Sequence, residues 1–466
     1  MTGKRTVIDS NGVRYELAER LGEGGQGVVY AVKGARLAVK LLTDRRPTRC
    51  EQMRNQLSHV RRLPLRDLAL AKPLEMLRPP DAGYVMELVT GMVPIKTLLS
   101  PAKGEAPSTA WYFGTGGLRR RLLVLGRTAS VLARLHGKGL AYADPSPANI
   151  FVSAASDFNE VRFIDTDNLR YESAPRSKGG VFTRFYGAPE LVRGESGVNT
   201  LTDLHAFAVI AFQVLTATHP FIGDYVNDGE PEIEERALMG LVPWIEDADD
   251  DINRASFGVP RSWVLSKLLK KCFDRAFGAG RTDPAARPRA AEWAERLFDA
   301  AHATIACSDC GGTYYFNQPQ CSWCDTDPPN FVVALFHLWD PELGPDGGLI
   351  SKPDGDKLRH ELCGHGAVTD GQTFKITRRL AFGPDVQVPD EPVIEATLDG
   401  NELRLKSVDG KAYRLLSAKG NRATEVGNRD QAMKLAAGQS SWRLHFGDKD
   451  QLHRVVSFDL RLGSTS

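Results

Sequence analysis

The sequence lacks any apolar run long enough to cross a bilayer. Its longest, Ala206 to Leu215, is interrupted by Gln213 and falls far short of the ~20 residues a spanning helix needs. The opening residues MTGKRTVIDSNG have no apolar core of the kind a secretory leader carries. Charge of one sign is also missing. The net charge is +1 over 466 residues, which favours neither nucleic acid nor an anionic membrane as a partner. The arginines at 45, 46, 49, 54, 61 and 62 have no aromatics between them, so they read as a solvated face. Cysteine is scarce: seven residues are too few for a disulfide scaffold at this length. These absences predict a cytoplasmic protein, and the length of 466 residues predicts two or three domains.

The chain is organised around YADPSPANIFVSAASDFNEVRFIDTD, from Tyr142 to Asp167. Asp144 is followed five residues later by Asn149, then by two short apolar runs, the second ending at Asp165. Two strands joined by a turn would hold Asp144, Asn149 and Asp165 at one mouth. Amide and carboxylate oxygens there suit a magnesium-bound triphosphate, and a free carboxylate can orient a hydroxyl nucleophile. An ordinary turn uses the same residue types, so the rest of the chain has to decide.

Gly22, Gly24 and Gly27 form G-x-G-x-x-G after a predicted strand from Tyr15 to Leu21. A dinucleotide-binding loop has the same glycines but opens into a helix. Here β-forming Val28, Val29 and Tyr30 follow, then a strand from Arg36 to Leu42, which makes a glycine-tipped hairpin able to close over phosphates. Lys40 lies inside the apolar run LAVKLL and needs an anionic partner if buried. A helix is predicted over Arg49 to Leu63, with Cys50, Met53, Leu57 and Val60 at helical spacing. Glu51 on that helix is the expected partner of Lys40. Glu87 to Val89, at the end of the strand YVMELV, is the natural hinge between a small lobe and a larger helical one. Ser100 to Gly117, rich in Gly, Pro, Ser and Ala, reads as a loop.

These residues resemble the eukaryotic-type protein kinase family, over roughly Tyr15 to Ala300. The glycine loop and Ala38-Val39-Lys40 resemble its phosphate-binding elements. Tyr142-Ala143-Asp144 with Asn149 resembles the catalytic loop, and Asp165-Thr166-Asp167 the metal-binding triplet. Ala188-Pro189-Glu190, Thr183, Asp203 and Arg287 match the activation segment, its catalytic-Asp contact, the buried helix and the arginine that pairs with Glu190. The resemblance implies an α+β bilobal kinase-like fold, with lobes over 12–87 and 88–303, acting as an ATP- and magnesium- (or manganese-) dependent Ser/Thr protein kinase. It implies a base at Asp144, metal ligands at Asn149 and Asp165, and a phosphate anchor at Lys40 fixed by Glu51. Nucleotide contacts would come from Gly22, Gly24, Gly27, Val29, Ala38, Glu87 and Val89.

The departures are specific. Tyr142 and Ala143 replace the His and Arg before the catalytic Asp, Ser146 replaces a Lys, and Thr166 and Asp167 replace Phe and Gly. A pseudokinase scaffold and a small-molecule phosphotransferase therefore stand as alternatives. With Ala143 in place of arginine, a phosphate at Ser173 or Ser177 has no receiver on the catalytic loop.

Cys307, Cys310, Cys321 and Cys324 form C-x2-C-x10-C-x2-C, the spacing of a structural zinc ribbon, over 304–327. Beyond Pro329, short β-type runs parted by Gly, Asp and Asn predict an all-β sandwich or barrel over 331–466. It faintly resembles a forkhead-associated domain without that domain's phosphothreonine-gripping residues, and reads as an interaction module. The order kinase, ribbon, β domain resembles bacterial kinases of stress or tellurite-resistance systems. That resemblance implies a metal-dependent protein phosphatase and a von Willebrand A protein as partners.

Overall fold

The computed structural model describes residues 5–24, 27–44, 46–101, 107–172, 182–343, 348–354, 357–385, 388–417, 422–438, 442–448 and 450–463. The tip of the glycine hairpin (Gly25, Gln26) and Ser173, Arg176 and Ser177 lie outside them. The chain forms two compact units, one from residues 1–107, 127–259 and 270–294, the other from 108–126, 260–269 and 295–466.

The first unit opens with a six-stranded antiparallel sheet. Its strands run in the order Thr6–Ile8, Arg14–Gly24, Gly27–Val32, Leu37–Leu42, Gly83–Glu87 and Pro73–Met76. Alternation along a strand sends successive side chains to opposite faces. Val39 and Leu41 join Val7, Val32 and Val85 in a core on one face. Leu42 packs with Tyr84, Met53 and Leu57 on the other, under the helix Pro47–Val60. Lys40, two residues before Leu42, shares that second face and is only 5% exposed. The helix begins before the predicted Arg49 because Pro47 occupies its first turn, where a fixed φ and a missing N–H are harmless.

The rest of this unit is built on the helix Thr200–Thr216, buried along nearly its whole length because it is apolar all round. Asn199 starts it with a capping box shared with Thr202. Two small antiparallel sheets complete the frame of the site: Ile150–Ser153 between Val161–Phe163 and Met92–Pro94, and Leu140–Ala141 with Arg170–Tyr171.

In the second unit the predicted loop before Gly117 contains a helix, Thr109–Gly114, capped by the Ser108 side chain, which accepts from the Trp111 amide at 3.1 Å. The aromatics on this turn explain why it orders. Tyr112 and Phe113 pack against Trp323 at ring separations of 5.0 and 5.1 Å, and Trp263 does so at 5.3 Å. A hairpin, Thr304–Ala306 with Thr313–Tyr315, carries the first cysteine pair. After it come a seven-stranded and a four-stranded antiparallel sheet. Phe336, Val456 and Phe458 from the first share one core with Ile376, Ile394 and Leu403 from the second. Among the described residues no helix is long and apolar enough to cross a membrane.

Candidate active site

Asp203, at the start of the buried helix, is itself fully buried. Its carboxylate accepts from the backbone amides of Tyr142 at 2.6 Å and Ala143 at 2.9 Å, and lies 3.1 Å from His136 Nε2. These bonds hold Ala143 at φ 82°, a left-handed conformation that costs a non-glycine residue roughly 1–2 kcal/mol. The strained loop presents Asp144 beyond it. Asp144 Oδ1 accepts from the Thr183 amide at 2.9 Å and from the Thr183 hydroxyl at 3.0 Å. Burial pushes the Asp144 carboxyl above its ordinary pKa, and Asp165 and Asp203 add to the shift against the Thr183 bonds.

Asn149 donates from Nδ2 to the Asp144 carbonyl at 3.1 Å, and its amide oxygen accepts no hydrogen bond among the described residues. Register brings Asp165 to it. Phe163 pairs with Ile150, and the Ile164 amide donates to the Asn149 carbonyl at 2.9 Å. Asp165 follows at φ 54°, again left-handed. Tyr142, where the family has His, hydrogen-bonds through its hydroxyl to the Ile164 carbonyl and packs edge-on against Phe163 at 4.9 Å. The substituted residue thus still ties the catalytic loop to the strand that carries Asp165.

Lys40 reaches this mouth from the six-stranded sheet, and here one expectation is corrected. Glu51 lies on the exposed side of the helix. Lys40 instead forms ion pairs with Asp165 and with Asp167, the latter at 2.9 Å. Burial opposes the charge on Lys40, but the two carboxylates outweigh it and hold its pKa above the ordinary value. The helix phase explains Glu51: Met53 and Leu57 face the sheet, and Glu51 sits two residues, ~200°, from Met53 around the axis.

The glycine-bearing strands pair Gly22 with Val29, and Gly24 with Gly27. Val29 also pairs with Lys40 on its other side, so it spans the distance from the loop to the anchor. A Cβ at Gly27 would lie 2.4 Å from the Leu41 carbonyl oxygen, so only glycine permits the close approach there. Ala38 is buried and pairs with Met86. Just past the strand Gly83–Glu87, Val89 is half-buried, whereas the Glu87 side chain is exposed and pairs with Arg162. Ser146 is buried at 1% exposure. Arg287 binds Glu190 through two bonds of 2.8 Å.

In the second unit the sulfur atoms of Cys307, Cys310, Cys321 and Cys324 all lie within 4.8 Å of one another. Cys307 and Cys324 are 3.6 Å apart, and Cys310 and Cys321 3.7 Å. Hydrogen bonding with Thr326 pulls the Cys324 thiol down to about 6, already toward the thiolate a metal requires. Four converging thiols fit a tetrahedral metal site with no open position.

The sequence pattern of the protein kinase domain matches residues 15–293, more than half of the chain. The chain belongs to the protein kinase family. It is 31% identical over 249 residues to a DNA damage-responsive serine/threonine-protein kinase, RqkA, of Deinococcus radiodurans, covering 49% of this chain and 35% of that protein. It is 30% identical over 230 residues to serine/threonine-protein kinase PknB of Mycobacterium tuberculosis, covering 45% and 34%. Pkn1 of Myxococcus xanthus, also a serine/threonine-protein kinase, is 28% identical over 219 residues, covering 44% and 29%. The chain thus spans about a third of the length of the curated relatives it matches.

Proposed function

We propose that the chain is an ATP- and magnesium-dependent serine/threonine protein kinase. The observation that supports it most directly is the meeting of Lys40, from the strand Leu37–Leu42, with Asp144, Asn149 and Asp165, from the loop and hairpin 142–165, with Asp144 oriented by Thr183. Asp144 would accept the proton of the attacking hydroxyl, its raised basicity suiting that task. Lys40 has a third N–H direction left for a phosphate oxygen. Asn149 and Asp165 offer two oxygens to magnesium, or manganese in its place, which when bound would neutralise the β and γ phosphates. The buried Glu190–Arg287 pair braces the segment on which a peptide would dock. Serine or threonine as acceptor is supported by the names of the relatives. Gly22, Gly24, Gly27, Val29, Ala38 and Val89 would border the nucleotide.

The four cysteines would hold one structural zinc, and the two sheets beyond them would serve regulation or partner binding. A metal-dependent phosphatase and a von Willebrand A protein are proposed partners on the order of these parts alone. None of the seven cysteines is joined in a disulfide, which fits a reducing, cytoplasmic setting. Transfer of labelled phosphate from ATP by wild type and Asp144→Ala, offered a generic protein, the chain itself and an aminoglycoside panel, tests the reading. Transfer to protein that is lost in Asp144→Ala is expected. Transfer to the small molecules alone would favour a metabolite phosphotransferase. No transfer and no thermal shift with Mg-ATP would leave a scaffold.

A further inference from the structure

The phosphate-anchoring lysine of this chain has a second carboxylate beside it that no family motif supplies. We propose that Asp167 is the positioning residue for Lys40, doing from the metal-binding segment what a helix glutamate was expected to do. The inference rests on the nucleotide-binding reading of the same site. Asp167 is 1% exposed, and its Oδ2 lies 2.9 Å from Lys40 Nζ and 3.5 Å from the Tyr84 hydroxyl. Tyr84 is the cross-strand partner of Lys40, so the ammonium is bounded by the tyrosine, Asp165 and Asp167. The helix opposite presents Met53 and Leu57 to this face, neither of which can pair with a cation.

The segment carrying Asp167 is fixed independently of that helix's charge. The Thr166 hydroxyl donates to the Ala71 carbonyl at 2.9 Å, and Gln56 of the helix donates to the Leu169 carbonyl at 3.0 Å. Residues 166–168 form a single 3-10 turn that sets Asp167 under Lys40. Asp165 cannot serve as a permanent anchor for the lysine, because its carboxylate is also the metal ligand. Asp167 can. Its other oxygen, Oδ1, is buried with no hydrogen-bond partner among the described residues, so a second acceptor stands beside Lys40 when Asp165 turns away. A charge-assisted pair of this kind fixes a long side chain that would otherwise sample many rotamers.

Binding measurements on the full chain test this without requiring turnover. A fluorescent ATP analogue with magnesium, and adenosine as a phosphate-free probe, are titrated into wild type, Asp167→Asn, Glu51→Ala, Lys40→Met and the Asp167→Asn/Lys40→Met double variant. Asp167→Asn should weaken the Mg-ATP analogue fivefold or more and leave adenosine within twofold. Glu51→Ala, whose side chain stands in solvent, should leave both within twofold. In the Lys40→Met background the Asp167 change should add less than twofold, since it acts through the lysine. Unchanged or tighter Mg-ATP binding by Asp167→Asn, equal loss of adenosine, full additivity with Lys40→Met, or the larger loss in Glu51→Ala would each overturn the assignment. If wild type binds Mg-ATP yet transfers no phosphate, the kinase reading fails and this one is still decided by the same titrations. Wild type that binds no Mg-ATP sinks both.

Discussion

Arg287 grips Glu190 with both terminal nitrogens, each 2.8 Å from a different carboxylate oxygen, and is itself 1% exposed. Its Nε and Nη1 also donate to the Gly280 and Leu201 carbonyls at 2.9 Å, so each of the three nitrogens of the buried cation has an acceptor. Removing one member strands the other charge in the interior, at a cost of about 3–5 kcal/mol. Glu190→Gln and Arg287→Ala should each lower stability by that order in urea unfolding. Arg287→Lys should fail to restore it, because an ammonium cannot make the two-pronged contact. A pair of single variants within 1 kcal/mol of wild type would show that the contact is dispensable.

Thr183 gives Asp144 a hydroxyl bond in addition to its amide. Thr183→Ala should lower kcat about tenfold, the loss of one orienting bond worth ~1.4 kcal/mol, with the KM for ATP unchanged. Thr183→Ser should recover most of the rate. A change in KM alone would mean that the residue acts on nucleotide binding.

The cysteine cluster predicts one zinc per chain by atomic absorption. Thiolate coordination of this kind contributes on the order of 10 kcal/mol to folding. Chelation, or Cys321→Ser, should therefore lower the melting temperature of the second unit sharply. Trp323, packed against Tyr112, Phe113 and Trp263, reports it, and its fluorescence should shift as metal leaves. Full stability after complete chelation would rule out a structural metal.

Acid should destabilise the first unit well above the carboxylate range. His219 is buried with its Nε2 3.0 Å from the Phe185 carbonyl, and burial pulls its pKa to about 4 against the help of that carbonyl. The unfolded chain protonates this group near pH 6.5. The stability it withholds from charging is complete above pH 6.5 and is lost as pH falls toward 4, roughly 3 kcal/mol in all. Denaturation midpoints between pH 7 and 4 should flatten in His219→Gln. An unchanged slope would assign the acid sensitivity elsewhere.

Phosphate on the activation segment should be dispensable. Ala143 lies under Asp203 with no donor to offer beyond its amide, which Asp203 already takes. Ser173 and Ser177 lie outside the described residues, so the expectation rests on the missing receiver. Phosphatase-stripped protein and Ser173→Ala/Ser177→Ala should keep their rate within tenfold, about 1.4 kcal/mol of barrier.

The geometry of the site was legible where placement follows from local order. Asp144, Asn149 and Asp165 are set by one short hairpin, and Lys40 by a strand whose alternation fixes its face. Glu51 was misassigned by residue type alone, although the apolar stripe through Met53, Leu57 and Val60 already placed it on the far side of its helix. Asp167 was hidden for a different reason. Its contact with Lys40 joins residues 127 apart in sequence, and the only local signal was an acid where the resembling triplet has glycine. In the second unit the short alternating runs were visible, but strand order was not. Phe331–Asp340 pairs with His453–Arg461, joining the start of that region to its end, and nothing in either strand specifies the partner.

The second unit gathers residues 108–126 and 260–269 with everything after 294, while the family pattern ends at 293. The boundary drawn by ancestry and the boundary drawn by packing therefore disagree. A kinase cut at 293 would keep both inner stretches and lose the hairpin, Trp323 and sheets they fold with, so Tyr112 and Trp263 would face water. Such a chain could not be exchanged between proteins as a self-sufficient cassette.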